Sequence, residues 1–257
     1  DFIKIAYADN EMLYVPIEQA NLIQRYIGSD TGLPKKDKLG GQGWENKKAK
    51  ARKNAEDLAK HLISLYAKRK NSVGFAFPKD TDWQLQFEAS FPFDETADQL
   101  TCIEDIKEDM EKPIVMDRLV CGDVGYGKTE IAFRAVFKAV MGGKQVAFLA
   151  PTTILAEQHY QNFLKRVGNF PIRCAQLSRI VAKKEQKQTL IGLAEGKVDV
   201  LFGTHRILQK DIMYRDLGLL VVDEEQRFGV KDKERFKTLR ASIDSLSLSA
   251  TPIPRTL

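Results

Sequence analysis

The sequence contains 257 residues, of which 43% are hydrophobic and 29% charged, and its formal net charge is +5. These proportions are typical of a soluble globular protein with one large or two smaller domains, and the mild positive charge permits nucleic-acid binding without requiring it. Three widely spaced cysteines argue against a disulfide framework or a zinc site, and the three histidines are too scattered for a metal cluster. No apolar run approaches the roughly 18 residues of a membrane span and the start lacks a signal peptide, so we expect a cytoplasmic protein without a membrane partner.

Residues 1–27 predict a small β module. The alternating apolar residues Ile3, Ile5 and Tyr7 predict a strand, residues 12–15 predict its partner beyond a turn, and a short amphipathic helix is expected to follow. Two strands and a short helix bury too little apolar surface to be stable alone. We therefore expect this module to be partial and to continue upstream of the first residue.

Residues 28–92 predict a linker followed by a long basic helix. A glycine-rich stretch precedes residues 44–70, where apolar residues recur at three- and four-residue steps among many lysines and arginines. Such a helix either follows nucleic-acid phosphates or is a solvated connector. The aromatic residues between Phe75 and Phe93 are expected to dock this connector onto the next domain.

From residue 93 to the end, short β-rich runs alternate with helical patterns, which predicts an α/β domain with a parallel sheet covered by helices on both faces. The predicted strands are Arg118–Cys121, Gln145–Ala150, Ile172–Leu177, Val198–Phe202, Leu217–Val222 and Ile243–Leu248. The predicted helices between them are Thr129–Met141, Ile154–Arg166, Ala182–Glu195 and Lys231–Arg240.

A complete phosphate-binding loop lies between the first of these strands and the first helix, Gly122-Asp123-Val124-Gly125-Tyr126-Gly127-Lys128-Thr129. Its glycines allow backbone N–H groups to surround phosphate oxygens, and the helix N-terminus adds partial positive charge. We expect Lys128 to contact the β- and γ-phosphates of ATP and the Thr129 hydroxyl to bind Mg²⁺. The competing interpretation is a glycine-rich turn without a ligand.

A second acidic motif supports this assignment, because the apolar run Leu219–Val222 predicts a buried strand that ends in Asp223-Glu224-Glu225-Gln226. Carboxylates at the carboxyl end of a central parallel strand lie where such sheets bind ligands. We expect Asp223 to hold Mg²⁺ through water and Glu224 to orient the attacking water. Taken alone, an acidic triplet is more often a solvated surface.

These two motifs and their surroundings resemble the superfamily 2 helicases and translocases. The segments similar to motifs Ia, Ib, II and III of that superfamily are, in order, Pro151–Gln158, Gly203–Arg206, Asp223–Gln226 and Ser249–Thr251. The resemblance implies DNA-backbone contacts at Thr152, Thr153, Thr204, His205 and Arg206, and coupling of nucleotide to DNA at Gln226, Ser249 and Thr251. Each short motif taken singly is an ordinary turn or helix cap, and only their order and spacing carry the signal.

Two further site residues come from weaker patterns. Arg179 is a plausible additional phosphate contact, and Phe91–Gln99 resembles the adenine-recognition motif of the same superfamily. In this motif Gln99 would hydrogen-bond the adenine edge, and Phe93 would either pack near the ring or belong to the core.

The residues around the P-loop and Arg227–Val230 after motif II are similar to one branch of the superfamily, which contains bacterial transcription-repair coupling factors and the fork-reversing branch-migration helicase. Residues 7–16 resemble the polymerase-interacting module of the coupling factors, and residues 38–41 with the basic helix resemble their connector. The resemblance implies an ATP-dependent motor on double-stranded DNA that binds stalled bacterial RNA polymerase and removes it at lesions. A repair-recruitment partner would bind through regions outside this sequence.

Three alternatives stay open. One is the fork-reversing helicase, another is a module that binds polymerase and nucleotide without turnover, and the third, a P-loop kinase, does not account for the motifs of a polynucleotide path. The resemblance also implies a second motor lobe beyond Leu257, and ATP in such motors lies between two lobes. We therefore expect this chain by itself to hydrolyse ATP weakly.

Overall fold

The computed structural model describes residues 1–23, 42–70, 72–179, 181–209 and 211–250, and its contacts divide the chain into two compact units, Asp1–Ser64 and Leu65–Leu257. Within the described residues, no helix combines the length and the apolarity needed to cross a membrane. Thr251, which the sequence assigns to motif III, and the predicted linker loop at 28–41 lie outside the described residues.

The first unit begins with the predicted hairpin. Strands β1 (Phe2–Ala6) and β2 (Met12–Pro16) pair antiparallel, with Ile3 opposite Val15, and a turn joins them. Positive φ angles of 57° and 61° at Asp9 and Asn10 form this turn, and these residue types tolerate that region better than most. The helix predicted over 17–27 is a 3-10 helix at Ile17–Leu22, and its last residues lie outside the described part.

The predicted basic helix is present as α1 (Gln42–Lys70), which has 29 residues and starts two residues before the predicted range. Its mid-section is exposed, since Lys48, Lys50, Arg52 and Lys53 all face solvent. Both interpretations of this helix, as a phosphate contact and as a solvated connector, need such an exposed charged surface.

The second unit is an α/β domain built on a six-stranded sheet. Its helices, in chain order, are α2 (Asp82–Ala89), α3 (Ala97–Met110), α4 (Lys128–Met141), α5 (Thr153–Val167), α6 (Lys183–Ala194) and α7 (Val230–Leu239). Its strands are β3 (Asp117–Cys121), β4 (Gln145–Leu149), β5 (Cys174–Leu177), β6 (Val200–Gly203), β7 (Leu217–Asp223) and β8 (Asp244–Ser249). The spatial order is β3-β8-β7-β4-β6-β5 and every pairing is parallel.

The helices cover both faces of this sheet, which confirms the predicted architecture. Residues of β4 alternate between two hydrophobic cores: Val146 and Phe148 pack with α2 to α5, whereas Ala147 and Leu149 pack with α6 and α7. Since successive side chains of a strand point to opposite faces, a strand buried on both sides is largely apolar. All five residues of β4 are buried, and the amide of its one polar residue, Gln145, donates to the Leu193 and Val198 carbonyls.

Two phenylalanines that precede the boundary predicted at residue 93 pack into the core of the α/β domain. Phe77 and Phe87 are 3% and 0% exposed and belong to the same core as α4. The Lys138 ammonium on α4 is 3% exposed and contacts Asp80 at 2.7 Å, which ties this segment to the helix by charge as well. Phe77 and Phe87 therefore do more than dock a connector, because they form part of the core itself.

Candidate nucleotide-binding and DNA-contacting site

The sheet order places the two predicted nucleotide motifs at one edge. Strand β3 leads into the P-loop, β7 ends at Asp223, and β8 lies between them and ends at Ser249. In this register Cys121 lies opposite Ser249, and Asp223 lies opposite Leu248. Because parallel strands end together at the same edge, segments far apart in sequence, such as those at Cys121 and Ser249, become neighbours.

The P-loop has the backbone conformation that its glycines predict. Gly125 and Gly127 adopt φ angles of 88° and 73°, in the left-handed region that disfavours a side chain, and α4 begins at Lys128 directly after them. A Cβ on Gly127 would come within 2.4 Å of Gln99 Nε2. At its start the loop is attached to β8, since the Gly122 N–H donates to the Ser249 carbonyl at 3.2 Å.

The Lys128 side chain folds back over the loop. Its ammonium donates to the carbonyls of Gly122 at 2.5 Å and Asp123 at 2.8 Å. The ammonium thus lies among the backbone groups of the loop, beside the N-terminus of α4. A positive charge next to a helix N-terminus favours phosphate binding. The residues present fit a nucleoside triphosphate bound by the loop backbone and Lys128. Thr129 and Asp223 carry the oxygen atoms that could bind Mg²⁺.

A cavity of about 710 Å³ lies beside the P-loop, and its walls include Phe93, Gln99, Tyr126, Thr129 and Arg166. Phe93 is 71% exposed, which excludes the core interpretation for this residue and leaves its ring available to a ligand. This volume is within the range of small-molecule sites.

The Gln99 side chain makes two hydrogen bonds within the protein. Its Oε1 accepts from the Thr96 N–H at 2.9 Å, as part of a capping box at the start of α3, and its Nε2 donates to the Tyr126 carbonyl at 2.9 Å. This amide therefore links the start of α3 to the P-loop. The second N–H of Nε2 and the second lone pair of Oε1 remain for a contact with an adenine edge.

A buried charge cluster, Glu130, Arg134 and Arg166, supports the far wall of this cavity. The Glu130 carboxylate accepts from Arg134 Nε at 3.0 Å and from Arg166 Nη2 at 2.6 Å, and Arg134 also contacts Glu95. The Arg166 guanidinium lies 4.3 Å from the centre of the Phe87 ring. Sequence reasoning missed this cluster, although the four-residue spacing of Glu130 and Arg134 on a predicted helix is a signal for an ion pair.

The acidic motif has a specific local geometry. Glu224 has a positive φ of 49°, and its carboxylate accepts from the Ala250 N–H at 3.1 Å and contacts the Gln226 amide. The Ser249 hydroxyl donates to Gln226 Oε1 at 3.4 Å. Motif II and the described part of motif III are therefore hydrogen-bonded to each other, as a coupling role would require.

The Asp223 carboxylate pairs with a residue that the sequence analysis did not select. His159 Nε2 lies 2.9 Å from Asp223 Oδ2, and both side chains are largely buried, at 10% and 13% exposure. His159 lies on α5, about two helical turns after its Thr152 cap. Ala156 and Phe163, three residues before it and four after it, are also buried, so His159 shares the helix face toward the sheet, and this helical spacing is a sequence signal that could have identified it.

The candidate DNA contacts lie at the same sheet edge, beyond β4, β5 and β6. Thr152 caps α5, since its hydroxyl accepts from the Leu155 N–H at 3.2 Å, and Thr153 is the first residue of that helix. Thr204 is buried at 8% exposure, whereas His205 and Arg179 are exposed. The structure thus brings all the described candidates to one edge but leaves Thr204 little surface for a ligand.

Arg206 is paired with Asp211 in the described structure. Two guanidinium nitrogens contact the Asp211 carboxylate at 2.8 and 2.6 Å. This hydrogen bonding raises the pKa of Arg206 and lowers the pKa of Asp211. A phosphate contact at Arg206 would have to compete with this carboxylate.

Two family models match the chain. The DEAD/DEAH box helicase model matches residues 96–257, and the CarD-like/TRCF RID domain model matches residues 1–27. The chain is 55% identical over all 257 residues to the transcription-repair-coupling factor of Borreliella burgdorferi and 54% identical to that of Staphylococcus aureus, and it spans 23% and 22% of their lengths. These identities confirm the predicted resemblance to the coupling factors.

Solved structures give the same fold. A structure of RecG bound to a three-way DNA junction matches 75% of this chain and 26% of its own chain, with a TM-score of 0.66 and 34% identity. A DEAD box protein from Methanococcus jannaschii matches 71% of this chain and 51% of its own, with a TM-score of 0.53 and 20% identity, which supports the fold alone.

Proposed function

This chain belongs to the DEAD/DEAH box helicase family, and we propose that it is the ATP-binding lobe of a motor that moves on double-stranded DNA. The observation that carries the proposal is the shared sheet edge, where β8 joins the P-loop to the acidic motif of Asp223 and Glu224. ATP hydrolysis requires a phosphate cradle, a metal-binding carboxylate and a group that orients water; the P-loop follows β3, and Asp223 and Glu224 lie at the end of β7, with only β8 between the two strands.

Each residue has a chemical task in this proposal. The loop backbone from Gly122 to Gly127 and the Lys128 ammonium would hold the phosphates, and Thr129 and Asp223 would hold Mg²⁺. Bound Mg²⁺ would neutralise charge that builds up on the phosphate oxygens. Glu224 orients the attacking water once its carboxylate leaves the Ala250 N–H.

The DNA path follows the carboxyl ends of β4, β5 and β6. Helix N-termini and hydroxyl groups there contact phosphates without reading bases, which suits a motor that must move along any sequence. Thr152, Arg179 and His205 are the exposed contacts, Thr153 is half-buried, and Arg206 joins them after release from Asp211.

We further propose that the motor acts on stalled RNA polymerase and couples its removal to DNA repair. Support comes from the identity of 54–55% to coupling factors over the whole chain, including the segment matched by the CarD-like/TRCF RID domain model. The chain spans less than a quarter of those relatives, so their full activity is carried over here as a proposal. The fork-reversing helicase is the second candidate, favoured by the similarity to RecG.

The ATP site is tested by binding of a fluorescent ATP analogue to the wild-type chain and to Lys128→Ala. We expect at least a tenfold weaker affinity in the variant, because a charge-assisted hydrogen bond contributes about 1.5–3 kcal/mol. Lys197→Ala is the matched control, since Lys197 is exposed, pairs with Glu195 and precedes β6 at the opposite sheet edge. Equal affinities for wild type and Lys128→Ala would contradict the assignment of the P-loop as the nucleotide site.

The polymerase proposal is tested by binding of purified bacterial RNA polymerase to a protein that contains this chain and has the length of the curated relatives. Replacing residues 13–16 by glycine and serine removes the pairing of β2 with β1, so we expect binding to be lost while nucleotide affinity is kept. Absence of polymerase binding in the wild type, together with DNA-stimulated ATPase, would favour the fork-reversing helicase. Nucleotide and polymerase binding without any turnover would favour the non-catalytic module.

A further inference from the structure

His159 and Asp223 form a buried pair between two elements that meet at the nucleotide edge. Nε2 of the imidazole lies 2.9 Å from Oδ2 of the carboxylate. The histidine belongs to α5 and the aspartate ends β7, so the contact bridges a helix and the sheet over 64 positions of sequence. Nothing in the P-loop mechanism described above uses this imidazole.

The chemistry of the pair determines which group donates. An ionised carboxylate only accepts hydrogen bonds, so Nε2 carries the hydrogen and donates it to Asp223. The imidazole is also held from the side, since its ring centre lies 4.9 Å from that of Phe148, which is 1% exposed in the core. A donor fixed by packing holds the carboxylate oxygen in one orientation.

We propose that His159 is a positioning residue that orients the Asp223 carboxylate for Mg²⁺. The inference rests on the proposed function, in which Asp223 is a metal-binding group. A carboxylate that binds a metal ion, directly or through water, is oriented best when a hydrogen bond fixes one oxygen and the other oxygen faces the metal ion. Loss of such a hydrogen-bond partner typically lowers metal affinity by about 10–100-fold. The pair leaves Oδ1 of Asp223 for that task.

A purely structural histidine would look similar in one respect, since it too would be buried and satisfied by a carboxylate. The two roles differ in what they affect. A structural role changes stability and lowers all ligand affinities together, whereas a positioning role changes the response to Mg²⁺ and leaves the Mg²⁺-free affinity for nucleotide, which depends on the P-loop, unchanged.

The experiment measures the dissociation constant of a fluorescent ATP analogue, first in EDTA and then across a range of Mg²⁺ concentrations. His159→Phe keeps an aromatic ring against Phe148 and removes the donor. We expect its affinity in EDTA to stay within about twofold of wild type, and the Mg²⁺ concentration for half of the affinity gain to rise by about tenfold or more. His159→Gln places an amide donor near the former Nε2 position, so it should recover most of the Mg²⁺ response.

An unchanged Mg²⁺ midpoint in a folded His159→Phe protein would overturn the proposal, as would loss of affinity in EDTA to the same degree as in Mg²⁺. If His159→Phe does not fold, the Mg²⁺ midpoints of His159→Gln and the shorter His159→Asn are compared, because only the longer amide reaches Asp223. Equal midpoints for these two variants would also overturn the proposal. A wild-type chain whose nucleotide affinity does not depend on Mg²⁺ would instead contradict the proposed function.

Discussion

Glu224 shows how one residue combines backbone strain with a chemical role. Its φ of 49° lies in the left-handed region, where a residue other than glycine is destabilised by roughly 1–2 kcal/mol, and its N–H donates to the Leu248 carbonyl at 2.9 Å. The strained turn directs the carboxylate toward β8 instead of along β7. The Ala250 N–H holds it there at 3.1 Å, one residue before the part of motif III that lies outside the described range.

We predict that Glu224→Gln keeps nucleotide affinity within about twofold and lowers the single-turnover rate of ATP hydrolysis by about 100-fold or more. The reason is that a carboxylate that orients or deprotonates water typically raises the reaction rate by about 10²–10⁴-fold. The amide keeps the shape of the side chain and loses the basic oxygen. Binding is measured with a fluorescent analogue and hydrolysis with labelled ATP at excess protein. Loss of binding in this variant would assign Glu224 a ligand role instead, and Glu195→Gln, at an exposed position, is the control.

At the scale of single elements, β8 is the most informative strand. Leu246 and Leu248 point into one core, whereas Ser245, Ser247 and Ser249 are 0%, 1% and 4% exposed on the other face. Each serine hydroxyl has a partner there: Asp117 for Ser245, Glu225 for Ser247 and Gln226 for Ser249. The strand thus carries a buried polar row that connects β3 to motif II.

Arg240 completes this polar row from the end of α7. Its guanidinium, 7% exposed, contacts the Glu225 carboxylate at 3.2 and 2.7 Å and the Ser247 hydroxyl at 2.7 Å. Since the third residue of the acidic motif is bound in this way, it anchors the turn in which Glu224 lies. Buried charges that lose a partner are costly because no water replaces it.

We therefore predict that Arg240→Ala lowers the free energy of unfolding by about 3 kcal/mol, since it removes the guanidinium that donates two hydrogen bonds to the Glu225 carboxylate. Urea unfolding followed by circular dichroism measures the change. Arg206→Ala is the matched control, because that arginine makes a similar two-pronged contact with Asp211 on the surface, worth about 0–1 kcal/mol. Equal losses for the two variants would show that the Arg240 network does not stabilise the fold beyond an ordinary surface pair.

At the scale of the whole molecule, the packed α/β domain includes a segment that precedes the helicase motifs. Phe87 stacks on Phe137 of α4 with ring centres 4.3 Å apart, and Phe77 is buried in the same core. Lys107 reinforces the packing through contacts with Asp80 at 2.7 Å and Glu88 at 2.6 Å. The pKa of Asp80 is lowered because hydrogen bonds from Lys107 and Lys138 outweigh the effect of burial.

A pair of truncations tests where this domain begins. We predict that a chain starting at Leu65 unfolds cooperatively and binds nucleotide within about twofold of the full sequence, since it keeps the second compact unit. A chain starting at Phe93 loses two buried phenylalanines, each worth about 3–5 kcal/mol, against a total stability of about 5–15 kcal/mol. It should be largely unfolded in thermal melts. Equal melting temperatures for the two chains would favour the later boundary.

Several features could be predicted from the sequence because they depend on residues close together in the chain. The P-loop needs glycines at fixed offsets before a lysine and a threonine, and the structure has them between β3 and α4 with positive φ at Gly125 and Gly127. The alternation of apolar runs and helical patterns predicted the parallel sheet, and each predicted strand is present within a few residues of its expected bounds. Both signals arise from local geometry, namely turn conformation and the periodicity of burial.

The tertiary structure alone decided which distant side chains meet. The order of strands in a sheet cannot be predicted from the spacing of motifs along the chain. Only the fold therefore shows that β8 lies between β3 and β7, and that Ser249 contacts both the P-loop and the acidic motif. The His159–Asp223 pair and the partners of Gln99 are of the same kind. Such contacts depend on how helices and strands pack across the sheet, whereas the sequence determines by itself only what each segment forms locally and which chemistry it carries.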